Sequence, residues 1–222
     1  MIQLNDLVKI YPMGKRELRV LNGINLAIKK GEMVAIMGPS GSGKSTLLNM
    51  IGLLDRPTSG NYILEGKEVS RLNRVDQAKV RGQKIGFIFQ SFNLLPYLSA
   101  LDNVLIGQKY AGRSNPKTAR EALNRVGLTD RIKHRPTELS GGEQQRVSVA
   151  RALAKNPPII LADEPTGNLD SHTSREIMAM LTALHKEQQI TLVMITHDPN
   201  IARYCQRIIY LEDGMIIREE VL

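Results

Sequence analysis

Apolar and β-branched residues gather in short runs over the first third of the chain, at Ile2–Tyr11, Val20–Ile28, Met33–Met37 and Tyr62–Leu64, broken by glycines at 14, 23, 31, 60 and 66. The pattern predicts a β-rich first portion. Within it, Leu47, Leu48, Met50, Ile51 and Leu54 recur at helical spacing and predict a helix over Lys44–Leu54. A strand at Ile85–Gln90 follows. From about Ser99 to Leu153 the period lengthens, predicting helices Asn103–Ala111, Lys117–Val126 and Gly141–Ala154, separated by Gly112, Gly127 and Pro136. The remainder alternates strand Ile159–Asp163, helix Thr173–Gln188, strand Thr191–Thr196, a short helix after Asp198 and strand Arg207–Leu211. Such alternation implies parallel strands joined by helical crossovers, with ligands beyond the carboxyl ends of the strands.

The bulk composition narrows this to one compact unit. With 222 residues, 42% of them hydrophobic, the chain can bury one core, with room for a subdomain but not for two large domains. The longest apolar runs, Ile159–Ala162 and Ile190–Ile195, fall far short of the roughly 20 residues that span a bilayer. Met1–Tyr11 reads as a strand rather than a secretory leader, so a cytoplasmic location is expected. The one cysteine, Cys205, allows no internal disulfide and reads as a structural thiol. A net charge of +8 suits polyphosphate, nucleic acid or an anionic membrane face. The basic residues are scattered, as at Lys29, Lys30, Arg71, Arg74, Lys79, Arg81 and Lys84, which favours a solvated mixed surface over a nucleic-acid groove.

Chemistry enters at Gly38-Pro39-Ser40-Gly41-Ser42-Gly43-Lys44-Ser45, a phosphate-loop pattern set between a predicted strand and a predicted helix. Its glycines let the backbone curl until the N–H groups face phosphate oxygens, Lys44 reaches the β and γ phosphates, and Ser45 holds magnesium. Ile159–Glu164 is an apolar strand ending in two carboxylates, and neighbouring carboxylates should have different tasks. Asp163 suits a magnesium contact, mostly through water, and Glu164 a general base for the attacking water, against an ordinary exposed acid. Gln90 closes its strand and suits orienting magnesium or that water. His197 also ends a strand and suits a γ-phosphate contact, against the usual structural histidine. Ser140 followed three residues later by Glu143 forms a capping box opening a helix whose free N–H groups invite an anion. Because Gly38–Thr46 already supplies one phosphate site, this second helix start is expected to meet nucleotide held by another copy of the chain.

At these residues the chain resembles the nucleotide-binding subunits of ABC transporters, over almost its whole length. The resemblance makes Gly38–Thr46 the Walker A loop, Gln90 the Q-loop and Leu139–Gln144 the signature, with Ser140, Gly141, Gly142 and Glu143 at its centre. It makes Ile159–Glu164 the Walker B strand, Gly167–Asp170 the D-loop with Asp170 among the nucleotide-binding residues, and His197 the switch histidine. Tyr11 matches the aromatic that stacks on adenine, against a strand residue facing the core. Glu143 stands where glutamine is frequent. The implied fold is α/β: a P-loop NTPase core of the ABC ATPase type with an antiparallel β subdomain and a helical subdomain. One domain is expected over 1–222, the core with its β subdomain at 1–90 and 157–222 and the helical part at about 91–156.

The same resemblance implies ATP and Mg2+ as cofactors, a homodimer formed head to tail on ATP, and an integral membrane permease as partner. A lone subunit should bind ATP but turn it over poorly, and the chain should sit peripherally on the cytoplasmic face of the membrane. Met37–Thr46, Gly86–Pro96 and Ala162–Asp170 look like the ATPases of lipoprotein-releasing, macrolide-exporting and cell-division systems. Phe92–Tyr97 reads either as a permease contact or as ordinary packing. A regulatory ATPase that signals through a membrane partner without moving substrate is the alternative. The soluble ABC ATPases of DNA repair and translation fit poorly, since no long coiled coil, zinc cysteines or second cassette is present, and no nucleic-acid partner is expected. No appended regulatory domain is expected after strand Arg207–Leu211.

Overall fold

The computed structural model describes residues 1–14, 16–112 and 114–222. They form two compact units, one of residues 1–81 with 191–222 and one of residues 82–190. In the first, the amphipathic runs predicted at the start become an antiparallel sheet. Strands β1 (Ile2–Met13), β2 (Arg16–Ile28), β4 (Ser59–Leu64) and β5 (Lys67–Glu68) lie in the order β2-β1-β4-β5. Their inward residues Ile2, Leu4, Leu7, Leu21, Ile24, Ile28 and Tyr62 are fully or almost fully buried. Tyr62 keeps its hydroxyl satisfied by donating to the Ile51 carbonyl at 2.8 Å, as a buried phenol must.

The same unit contains a second set of strands. β3 (Met33–Met37) lies between β8 (Thr191–Ile195) and β9 (Arg207–Glu212), parallel to both, and β10 (Met215–Val221) pairs antiparallel with β9. Every residue of β3 and β8 is buried, the continuous apolar run expected of parallel strands covered on both faces. Helix α1 (Lys44–Ile51) is shorter than its periodicity predicts. Gly52 donates to the carbonyls of Leu48 and Met50, and Leu53 turns left-handed at φ 53°, so Leu54 lies outside the helix. Cys205 is buried here, which pushes its thiol up to about 12 and makes it inert.

In the second unit, β6 (Ile85–Phe89) and β7 (Ile159–Asp163) pair in parallel, Phe89 opposite Asp163 at the last register position. Helices α3 (Ala100–Tyr110), α4 (Pro116–Arg125) and α5 (Gly141–Leu153) pack on one another, α5 also packs on β6, and α6 (Ser171–Gln188) follows β7. The short helix α7 (Pro199–Ala202) belongs to the first unit.

Helix α2 (Arg74–Lys84) and strands β5 and β10 are absent from the sequence expectation. Helix α2 is so polar that periodicity gives no apolar stripe; Arg81 instead donates to the Leu53 carbonyl at 2.6 Å. The basic residues taken as scattered surface charge therefore include a helix. Strand β10 carries charge that its partner strand absorbs: Arg207 meets Glu219 at 2.7 Å, and the Arg218 guanidinium lies 4.1 Å from the Tyr210 ring centroid.

Ile36, wholly buried on β3 between two strands, anchors the first unit. Ile36→Ala should cost about 2–5 kcal/mol through lost transfer energy and the cavity left behind. A fall in the urea midpoint at unchanged slope is the expected result.

Candidate functional site

The phosphate loop leaves the end of β3 in the first unit. Gly38 is required by close approach, since a Cβ there would stand 2.0 Å from the Leu211 carbonyl oxygen. Helix α1 then begins after Gly43, left-handed at φ 100°, and no side chain caps its first turn. Its first-turn amides therefore have no intrahelical partner and no side-chain substitute, the arrangement that binds phosphate. The Lys44 ammonium donates to the carbonyls of Gly38 at 2.9 Å and Pro39 at 2.7 Å, so it lies folded across the loop that precedes it. Ser40, Gly41 and Ser45 are exposed, whereas Ser42 is buried with its Oγ unpartnered among the described residues. His197 is exposed and follows β8, whose Ile195 pairs with Ile36 of β3, so it leaves the strands at the same edge as Gly38.

Tyr11, half-buried on β1, belongs to a polar cluster that the sequence did not disclose. Its hydroxyl donates to Asp55 Oδ2 at 2.8 Å. Lys9 Nζ sits 4.6 Å from the Tyr11 ring centroid, pairs with Asp55 at 2.8 Å and donates to the Arg56 carbonyl at 2.7 Å. Burial raises the Asp55 carboxyl, but hydrogen bonds from Lys9, Tyr11 and the Arg56 amide outweigh it and hold the group below the usual carboxylate range. Tyr11 is pushed up to about 12, first by burial and then by the hydrogen bond and charge of Asp55. Neither Lys9 nor Asp55 belongs to a recognisable motif, and Asp55 is 44 residues from Tyr11.

The second unit holds Gln90, Asp163, Glu164, Ser140–Glu143 and Asp170. Because Phe89 and Asp163 are register partners, Gln90 and Glu164 are the next residues on adjacent parallel strands. Glu164 is left-handed at φ 44°, a conformation that costs a non-glycine residue roughly 1–2 kcal/mol and recurs at functional sites. Gly167 N–H donates to the Glu164 carbonyl at 3.0 Å and closes the turn. A Cβ on Gly167 would come 2.7 Å from Gln90 Nε2, so a side chain there would push the glutamine amide from this position. Asn168 completes the lock: Gln90 Nε2 donates to its Oδ1 at 3.2 Å, and its Nδ2 donates to the Gln90 carbonyl at 3.1 Å.

The expected capping box is formed. Ser140 Oγ accepts from Glu143 N–H at 3.3 Å, and Glu143 Oε2 accepts from Ser140 N–H at 2.8 Å. That backbone bond is the main reason the Glu143 carboxyl lies below its usual range; burial opposes it, and Arg131, 3.1 Å away, assists. The amides of Gly141 and Gly142 lie in the first turn, where a helix offers them no acceptor of its own. Both glycines line a cleft of about 370 Å3 with Ser140, Glu143, Asp170 and Thr173. Asp170 has a local duty there. Its carboxylate caps α6 by accepting from the amides of His172 and Thr173 and from the Thr173 hydroxyl, which lowers it to about 2.

The apolar stretch after Gln90 is only partly packed. Phe92 and Leu94 are half-buried, while Leu95 and Tyr97 stand exposed, Tyr97 by 86%. Arg151 holds the carbonyls of Phe92 and Asn93, both left-handed, and fully buried Asn103 holds those of Leu95, Leu98 and Ser99. Sequence reasoning missed both supports, as it missed Asn168: the partners of Arg151 and Asn168 are distant along the chain, and those of Asn103, though near, are backbone carbonyls that no residue pattern marks.

A glycine-rich loop running into an uncapped helix, a strand ending in paired acids and a second, side-chain-capped helix start define an ATP-binding cassette of the P-loop class. The family model for ABC transporters matches residues 21–167, and the chain belongs to that family. It is 51% identical to the uncharacterized ABC transporter ATP-binding protein MJ0796 of Methanocaldococcus jannaschii, covering all of this chain and 97% of that one. It is 50% identical to the macrolide export ATP-binding/permease protein MacB of Vibrio parahaemolyticus over 99% of this chain, but spans only 34% of that relative. Among solved structures, the MJ0796 cassette in a dimeric post-hydrolysis state bound to ADP and Pi superposes with a TM-score of 0.92 at 48% identity, covering 100% of this chain and 99% of that chain.

The raised Tyr11 phenol favours folding below pH 10, its ordinary value, and that contribution is lost as pH rises through about 12. Subtracting the ultraviolet titration of Tyr11→Phe from that of the parent should isolate one tyrosine ionising near 12. In Asp55→Asn this ionisation should move part of the way back, since burial remains.

Proposed function

We propose that the chain is the ATP-hydrolysing subunit of a membrane transport system, acting as a homodimer in which each phosphate loop is completed by the α5 start of the partner. The observation that carries this reading is the Ser140–Glu143 box itself. Its side chains satisfy part of the helix start and leave the first-turn amides of Gly141 and Gly142, two residues that line a cleft, without an acceptor within the helix, as a site for an anion bound elsewhere requires. The dimeric MJ0796 cassette with ADP and Pi supports the assembly, and the macrolide exporters, which carry ATP-binding and permease parts in one chain, support a permease as partner. No described helix is long and apolar enough to cross a membrane, so membrane attachment is through that partner at the cytoplasmic face.

In this reading Gly38–Thr46 cradles the phosphates through backbone amides, and Lys44 leaves the Gly38 and Pro39 carbonyls to pair with the β and γ oxygens. Adenine stacks on the Tyr11 face opposite Lys9. Water attacks the γ-phosphorus as the Glu164 carboxylate takes its proton and ADP departs, while Gln90 orients the water and His197 donates to the γ-phosphate. The partner's α5 start stabilises the charge that develops.

No cluster of three or more His, Cys, Asp or Glu that could hold a metal occurs among the described residues. The hydroxyl of Ser45, the carboxylate of Asp163 and the amide oxygen of Gln90 are hard oxygen donors, which suits Mg2+ shared with a nucleotide rather than caged by protein. The ion would supply charge neutralisation on the phosphates. The exposed Leu95 and Tyr97 are the permease-contact candidates.

Glu164→Gln should keep ATP binding, abolish nearly all turnover and accumulate a dimer on ATP, read by sedimentation with saturating nucleotide. A purely monomeric species would refute the composite site. Lys44→Ala should instead lose ATP binding, because charge-assisted contacts of about 1.5–3 kcal/mol each disappear; equal affinity by calorimetry would remove Lys44 from the site.

A further inference from the structure

Two residues beyond Glu143 on α5, Gln145 is wholly buried, as are the apolar Val147 and Val149 of the same helix. Its Nε2 donates to two main-chain carbonyls, that of Phe89 at 3.4 Å and that of Pro165. Phe89 is the residue before Gln90, and Pro165 the residue after Glu164. Its Oε1 is buried with no hydrogen-bond partner among the described residues. An apolar side chain of the same length would fill this space without stranding an acceptor, so the value of the amide lies in its two N–H groups.

Their position is informative. The β6–β7 ladder ends at the Phe89–Asp163 pair, and directly beyond it lie Gln90 and the left-handed turn at Glu164. One NH2 group bonds the end of β6 and the turn after β7 together at that point. The clip is rigidly joined to the anion-binding helix start, since Ser140 and Gln145 are about one and a half turns apart on one helix.

We infer that Gln145 is a positioning residue that couples the Ser140–Glu143 helix start to the water-handling groups Glu164 and Gln90 of the same subunit. This rests on the head-to-tail reading of the site. In that dimer the helix start touches ATP held by the partner, while Glu164 and Gln90 act on the subunit's own ATP. A shift of α5 when it meets the partner's nucleotide moves the Phe89 and Pro165 carbonyls with it. Gln145 thus makes hydrolysis at one site conditional on occupancy of the other, and contributes to cooperativity without touching nucleotide.

The test uses the full chain with Gln145→Met and Gln145→Glu, measuring ATPase rate against ATP concentration and pH, and ATP affinity by calorimetry. Gln145→Met should lower kcat about tenfold or more, as misplacement of reacting groups does, and bring the Hill coefficient towards unity while ATP affinity is retained. Gln145→Glu should be defective at high pH, where a carboxylate faces two carbonyl oxygens, and recover part of its kcat at low pH, where a protonated carboxyl donates again. Should Gln145→Met fail to fold, the pH profile of Gln145→Glu alone decides. Parental kcat and Hill coefficient, a lowered kcat with the Hill coefficient unchanged, or a Gln145→Glu defect indifferent to pH would each overturn the proposal. Glu164→Gln separates the two levels: if it traps no ATP-bound dimer, the underlying site reading fails, whereas a trapped dimer with a parental Gln145→Met phenotype sinks the coupling alone.

Discussion

An α-helix cannot satisfy its own first amides, and this chain resolves that constraint in opposite ways at two helices that matter for function. Helix α1 starts on Gly43 with no side-chain cap, so its leading amides are left for a ligand. Helix α5 starts on Ser140 with a reciprocal Ser140–Glu143 box, so part of the need is met internally. The first start wants an anion to be complete, whereas the second tolerates its absence. A site that must be populated by free ATP and a site that must meet ATP only at the right moment differ in just this respect. The charge balance agrees: α1 offers Lys44, while at α5 the carboxylate of Glu143 is already paired with Arg131, so its negative charge does not oppose an incoming phosphate unaided.

The second unit shows how little freedom Glu164 and Gln90, the proposed water-handling residues, have. Glu164 is left-handed, its carbonyl is tied by Gly167, Asn168 is bonded to Gln90 in both directions, and Gln145 holds the backbone on either side. Strain of this kind persists only where surrounding bonds over-determine it. Here the bonds come from the turn after β7, the end of β6 and the middle of α5, so the conformation of Glu164 depends on three elements at once. A change at any of them reaches the Glu164 turn through main-chain carbonyls.

The amino-acid pattern disclosed those features that are local in sequence. The phosphate loop, the acid-ended strand and the Ser140–Glu143 box are each contiguous, and a box spanning three residues is fixed by helix geometry alone. Fully buried strands such as β3 and β8 were legible because both faces are apolar. Helix α2 was not, because it is held by groups such as Arg81 rather than by an apolar stripe, and β10 was not, because its charges are neutralised across the strand pair. Gln145, Asn168, Lys9 and Asp55 were illegible for a different reason. Each acts on a partner far along the chain, as Gln145 does on a carbonyl 56 residues away, and no local spacing records such a pairing.

The cluster around Tyr11 shows what those distant pairings add. A tyrosine on an edge of β1 could orient its ring in several ways, and stacking on a base rewards only one of them. Asp55, a few residues beyond the helix that follows the phosphate loop, fixes the hydroxyl end, and Lys9 lies against one face. The ring is thereby tied to the segment that continues from Lys44 and Ser45, so in the proposed site base and phosphate contacts would share one frame. Ordering the ring before nucleotide arrives lowers the entropic cost of binding. It also gives a charged pair a reason to stand beside an aromatic ring: Lys9 and Asp55 satisfy each other and the phenol, and leave the opposite face of the ring for the proposed base contact.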